Sequence, residues 1–155
     1  MENKKHLIIV RGIPGSGKST FSNKLLEQIP NSMHVESDMF FMKDGKYEWS
    51  ADKLYTAHNW CFNKTFNLFE IYDTVIVSNT FTTQKELKPY LKKAAELDIP
   101  VIIVRMKNNF KNVHNVPDDT LLKMQQRFVP VDDELVCDAH TEDYVLKLIK
   151  GKTND

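Results

Sequence analysis

Short apolar runs punctuate this chain, and between them apolar residues recur at helical spacing. His6-Leu7-Ile8-Ile9-Val10-Arg11 is short, β-branched and stopped by Gly12, which predicts a buried strand. Thr74 to Ser78 and Val101 to Met106 repeat that pattern. Met33 to Glu36 and Leu135 to Cys137 read as shorter strands, the first leading into Ser37-Asp38. Helices are predicted from Lys18 through Phe21, Leu25 and Leu26 to Ile29, and from Gln84 to Leu97. Pro30 ends the first, and Pro100 follows the second. A longer helix from Ser50 or Ala51 carries Leu54, His58, Cys61, Phe62, Phe66 and Phe69 on one stripe. Two more run from Asp118 to about Phe128 and from a Thr141 cap to Ile149. Lys43-Asp44-Gly45-Lys46 is a turn signal, 108–117 is polar and irregular, and a frayed tail is expected over 150–155.

Apolar strands alternating with helices imply an α/β fold, a parallel sheet of four to five strands with helices on both faces. Ligands of such sheets bind beyond the carboxyl ends of the strands. The turn after the first strand, Asp38, and the Ser78-Asn79-Thr80 turn all follow strands, so they are expected on one edge. With no internal repeat or dividing linker, residues 1–155 are expected to form a single domain.

Charge narrows the partners a little. Lys plus Arg and Asp plus Glu number 21 each, so no global field draws the chain to nucleic acid or membrane, and a nucleic-acid substrate would need a local basic groove. The apolar fraction of 41% is enough for a core. Cys61 and Cys137 are far apart, form no metal-ligand pattern and are not expected to pair. No signal peptide is visible and Leu7 to Val10 is too short to span a bilayer, so a cytoplasmic protein is expected, of a cell or of a virus inside one.

The strongest chemical signal is Gly12-Ile13-Pro14-Gly15-Ser16-Gly17-Lys18-Ser19. It satisfies G-x-x-x-x-G-K-[S/T] between a predicted strand and a predicted helix, the context the motif requires. Its glycines let successive N–H groups curl toward phosphate oxygens, and the helix adds its positive dipole end. Lys18 can reach the β- and γ-phosphates of ATP or another nucleoside triphosphate. Ser19 can supply an oxygen to Mg²⁺, and Thr20 adds a second hydroxyl. A P-loop NTPase fold follows, but the loop does not choose between kinase, hydrolase and switch. Asp38 could accept a proton from an acceptor hydroxyl, orient a magnesium water, or merely cap a turn. Glu36 and Asp44 are weaker candidates.

The loop with Thr20, then Ser37-Asp38-x-Phe40-Phe41 and Ala57-His58-Asn59-Trp60, resembles a P-loop kinase group. That group includes the bacteriophage-type polynucleotide 5'-kinases and the kinase-like domains of NEDD4-binding proteins. Ser78-Asn79-Thr80, Lys111 to Pro117 and Met124-Gln125-Gln126-Arg127-Phe128 extend the match, from about Leu7 to Phe128. The resemblance implies that Asp38 is the general base for a 5'-hydroxyl. It also implies that 108–117 is a lid carrying Lys111 over the transferring phosphate, and that Arg127 contacts the nucleotide. Phe41, Ser78, Asn79 and Thr80 then fall on the acceptor side. The chain departs from the group in having Phe41 where a phosphate-holding arginine stands, Ser78-Asn79 where an aspartate is frequent, and Lys111 where the lid has arginine. An ATP- and Mg²⁺-dependent kinase acting on the 5'-hydroxyl of a polynucleotide or nucleotide is therefore expected, with a single-stranded nucleic-acid end or a small hydroxyl substrate as its partner. A kinase for a small hydroxyl metabolite or nucleoside, and a non-catalytic nucleotide-binding module, stand as alternatives.

Overall fold

The computed structural model describes residues 4–108 and 118–154. Five parallel strands form the sheet in the order β2 (Ser32–Val35), β5 (Thr74–Asn79), β1 (His6–Arg11), β6 (Val101–Met106), β7 (Leu135–Cys137). The central strand, β1, is buried at all six residues, which is why it reads as an unbroken apolar run instead of an alternating one. Its pleat sends Leu7 and Ile9 to one core and Ile8 and Val10 to the other. The first core is closed by α2 (Leu54–Asn67) and α3 (Gln84–Glu96), through Cys61, Leu87, Tyr90 and Ala94. The second is closed by α1 (Lys18–Gln28) and α5 (Glu142–Thr153), through Phe21, Leu25, Leu146 and Ile149. The expected α/β sheet covered on both faces is thus the fold. Helix α4 (Asp118–Arg127) precedes β7.

Local chemistry accounts for the boundaries. Thr83 and Glu86 form a capping box that starts α3. Thr141 stands at the N-cap of α5, yet its hydroxyl makes no cap bond; it accepts from the Asp138 N–H at 2.9 Å. That helix runs past the expected end at Ile149, because Thr153 Oγ1 donates to Ile149 O and holds one more turn. The tail expected from Lys150 is therefore helical as far as Thr153. The long helix opens with a 3-10 turn, Ala51–Lys53, and Leu54, expected on its buried stripe, is 41% exposed.

A second departure lies between β2 and α2. The Lys43 to Lys46 turn joins two short antiparallel strands, β3 (Met42–Lys43) and β4 (Lys46–Tyr47). Asp44 and Gly45 have φ of 50° and 79°, the sign that a two-residue hairpin turn demands of both. Both cysteines are buried and free, as expected. No helix among the described residues is long and apolar enough to cross a membrane.

Candidate functional site

The phosphate loop leaves β1 at the centre of the sheet, at the carboxyl edge. Gly12 is needed for space. A Cβ there would lie 2.4 Å from Ser16 Oγ and 3.1 Å from Met106 O. Gly17, the residue before α1, has φ 93°, and Gly15 has φ 83°, a region that side chains resist. Helix α1 carries no acidic residue in its first turn, so its positive end is left uncompensated. Ser16 Oγ is buried beside it without a hydrogen-bond partner among the described residues. A curled loop, a free helix end and a buried unsatisfied hydroxyl suit an anion of the phosphate type.

Lys18 folds back across this loop and donates to Ile13 O at 3.0 Å. Burial pushes its ammonium down to about pKa 8, against the opposing pull of the Glu36 and Asp38 carboxylates. Triphosphate charge would draw that pKa back up. We therefore expect nucleotide binding near pH 9 to take up about one proton, and less near pH 7, where Lys18 is already charged. Titration calorimetry in two buffers of different ionisation enthalpy measures this uptake. Lys18→Met should abolish it, and pH-independent uptake would contradict the assignment.

Glu36, only a weaker candidate by sequence, is a hub of hydrogen bonds at this edge. It follows β2 directly, and its Oε2 accepts from Ser19 Oγ at 2.9 Å and from Ser78 Oγ at 3.0 Å. His34 Nε2 lies 2.6 Å from Ser78 Oγ and 3.6 Å from the same carboxylate oxygen. Burial holds the His34 pKa below its ordinary value, although Glu36 opposes the shift. A neutral ring donating to Ser78, which in turn donates to Glu36, accounts for all three contacts. Strand β5 brings no acid to this edge; the neighbouring strand supplies one instead. A signal was present in the Glu36-x-Asp38 spacing, which sets two carboxylates near the end of one strand.

Asp38 lies beyond the strand, in a 3-10 turn, Ser37–Phe41. Three groups hold that turn. Asn79 Oδ1 accepts from the Ser37 N–H at 2.8 Å, Ser37 Oγ pairs with His58 Nδ1 at 2.9 Å, and Tyr47 Oη donates to Asp38 Oδ1 at 3.1 Å. Burial and the adjacent Asp38 carboxylate raise the Tyr47 phenol to about 12, so it stays a donor. Asn79, expected to meet the acceptor, is thus committed to fixing the backbone next to Asp38. Thr80 contributes its carbonyl, which accepts from the Gly12 N–H at 3.2 Å.

One other expectation is corrected. Phe41 is 2% exposed, its ring packed edge-on against Phe40 and Tyr47, so it cannot touch an acceptor directly. Arg127 ends α4 on the exposed surface. The cavity beside the loop, about 280 Å³, is lined instead by Ile13, Arg105, Met106, Lys107, Asn108, Gln125 and Phe128. Its aromatic, cationic and amide groups can flank a planar base. Lys111 and most of the expected lid lie outside the described residues. Ser19 and Thr20 are exposed at the first turn of α1.

Comparison with known proteins agrees with this geometry. Residues 7–109 match the model of the AAA domain family. NEDD4-binding protein 2 of Homo sapiens is 30% identical over 138 residues, covering 81% of this chain and 8% of that protein. The chain thus corresponds to a small part of that relative's length. An uncharacterized protein of Pasteurella multocida, PM0531, is 27% identical over 150 residues, covering 84% of this chain and 81% of that one. Among solved structures, a putative kinase from Chloroflexus aurantiacus superposes with a TM-score of 0.69 at 14% identity, covering 99% of this chain and 98% of that one. A chain of the Pnkp1/Rnl/Hen1 complex gives 0.59 at 22% identity, covering 79% of this chain and 40% of that one. A gluconokinase from Sinorhizobium meliloti 1021 gives 0.63 at 13% identity, covering 99% and 94%. At these identities the structures share the fold with this chain.

Proposed function

This chain belongs to the AAA domain family and carries a P-loop kinase-like fold; from that premise we propose that it is an ATP-dependent phosphotransferase. It moves the γ-phosphate to a hydroxyl acceptor, the 5'-hydroxyl of a polynucleotide or nucleotide. The observation that carries this reading is the meeting of Lys18 and Ser19 with the Glu36 and Asp38 carboxylates at one sheet edge. A module that only held a nucleotide would need the cation and the loop. It would have no use for a second carboxylate fixed by Asn79, His58 and Tyr47 through its turn.

Among the described residues no group of three or more His, Cys, Asp or Glu could cage a metal. Mg²⁺ needs no such cage, because it keeps several waters and takes few protein oxygens. Ser19 Oγ, bonded to Glu36, is the hard oxygen donor that fits it, with Glu36 placed to accept from its waters. Held there, Mg²⁺ would supply charge neutralisation.

The chain's own residues divide the remaining work. The loop amides and Lys18 hold the triphosphate and stabilise charge on the leaving side. Asp38 accepts the acceptor's hydroxyl proton as that oxygen bonds the γ-phosphorus, while the bond to the β-phosphate oxygen breaks and ADP departs. These residues work within a single cytoplasmic domain. The likeness to a chain of the Pnkp1/Rnl/Hen1 RNA repair complex supports a nucleic-acid end as acceptor.

Incubation with γ-labelled ATP and Mg²⁺ tests the proposal across 5'-hydroxyl DNA, 5'-hydroxyl RNA and a panel of hydroxyl metabolites. Label on an oligonucleotide 5' end is the expected result. Label confined to a metabolite would move the acceptor to small molecules. Tight nucleotide binding with no transfer would reduce the chain to a regulatory module.

A further inference from the structure

The β3–β4 hairpin presents its apolar side chains to solvent rather than to the core. Met42 is 49% exposed, Tyr47 42% and Trp49 54%. A two-stranded ribbon is marginal alone, and this one is braced from beneath. The Glu48 N–H donates to Phe41 O at 2.8 Å. The buried Phe41 ring meets Tyr47 at 6.2 Å and Trp49 at 6.5 Å between centroids. The result is a pair of aromatic rings held in place and half open to water. A folded chain gains nothing from exposing such area, and contiguous exposed apolar surface marks recognition.

The occupant follows from where the hairpin is tied. Tyr47 donates its hydroxyl to Asp38, so the aromatic surface begins one hydrogen bond from the candidate base. Whatever hydroxyl gives its proton to Asp38, the group behind it extends past that hairpin. Lys43 and Lys46 pair across the ribbon, while Asp44 and Glu48 offset their charge, so the hairpin has no net field for a polyanion. It offers flat rings. A polyhydroxylated acceptor would need directed donors and acceptors there, whereas a nucleobase needs a π-face.

We propose that Tyr47 and Trp49 form the stacking platform for the terminal nucleobase of the acceptor. This rests on the reading of Asp38 as the acceptor-side base, and it selects a base-bearing acceptor over a sugar or sugar acid. Because every base has a π-face, the platform recognises an unpaired end without reading its sequence.

The test compares a short 5'-hydroxyl oligonucleotide with one whose 5'-terminal residue is abasic, which keeps the sugar and its hydroxyl but removes the ring. Binding is followed by fluorescence anisotropy with ADP and Mg²⁺ present, for the wild type, Trp49→Ala and Trp49→Phe. Trp49→Ala should weaken the base-bearing oligonucleotide on the order of tenfold. It should leave the abasic one unchanged, and Trp49→Phe should keep most of the affinity. Equal wild-type affinity for the two oligonucleotides, equal loss for both on Trp49→Ala, or no oligonucleotide binding at all would overturn the platform. So would a change in sedimentation mass on Trp49→Ala with acceptor binding intact, which would make the surface a contact between copies. Base-dependent binding without label transfer would sink the phosphotransferase reading and leave the platform standing. Transfer without base dependence would do the reverse.

Discussion

Asp38→Asn should lower turnover on the acceptor by about a hundred- to ten-thousandfold, the range a positioned general base supplies. Affinity for ATP should stay within about twofold. The substitution keeps the side chain's shape, and the amide oxygen can still accept from Tyr47 Oη, so the Ser37–Phe41 turn should persist. What is lost is a group able to take the hydroxyl proton. Lys18→Ala provides the contrast. Lys18 lies against the loop carbonyl of Ile13 and carries the charge that faces phosphate, so its loss should damage nucleotide binding and turnover together. Single-turnover kinetics with labelled ATP, beside equilibrium binding of a fluorescent ADP, separate the two effects. Transfer by Asp38→Asn at the wild-type rate would remove Asp38 from the chemistry and leave it as a turn residue.

The legible parts of the molecule were those set by local pattern. β1 and β5 are buried on both faces, and β6 on one face and partly on the other, so their sequences carry long apolar runs that no surface element needs. The phosphate loop was legible because each position has a local reason, in φ or in close approach. Glu36 was understated because its importance arises from strand order: β2 pairs with β5, and that pairing sets Glu36 against Ser78. No spacing along the chain reports which strands are neighbours. The hairpin shows in the sequence only as its turn, because two-residue strands carry too little pattern to be distinguished from a loop. Phe41 was placed at the acceptor by its position in a motif. Its burial follows from rings contributed by Phe40, Tyr47 and Trp49 around it. The same limit hid the partners of Arg11: the run that ends on it predicts a buried strand, but no local pattern tells what meets its guanidinium.

Arg11→Met should be the most destabilising of the substitutions considered, costing about 5 kcal/mol, and the reason is its carbonyl partners more than its ion pair. The side chain is 0% exposed. Nε and Nη2 donate to Phe81 O at 3.0 and 2.7 Å, Nη2 also donates to Val129 O at 2.8 Å, and Nη1 donates to Glu134 Oε1 at 2.8 Å. The guanidinium carbon stands 4.2 Å from the centre of the Phe128 ring. Burial lowers the Arg11 pKa while Glu134 opposes the shift, and an arginine stays charged throughout. This one group therefore ties β1 to the turn after β5 and to the segment after α4, both beside the nucleotide loop.

Removing Glu134 alone leaves a buried cation, a change that costs about 3–5 kcal/mol. Removing Arg11 leaves a carboxylate with Arg105 Nε still 3.7 Å away, but it also strips the donors from the buried Phe81 carbonyl, at about 1–3 kcal/mol, and from the partly buried Val129 carbonyl. At roughly 2–4 °C per kcal/mol for a domain of this size, Glu134→Gln should lower Tm by about 10 °C and Arg11→Met by more. The paired change Arg11→Met with Glu134→Leu distinguishes the causes. If the ion pair were the whole contribution, two apolar partners would recover wild-type stability, as buried pairs often allow. Because Phe81 O and Val129 O lose their donors either way, the pair should stay well below the wild type. Thermal unfolding of the three variants measures this, and full recovery in the pair would show that the carbonyl clamp contributes nothing.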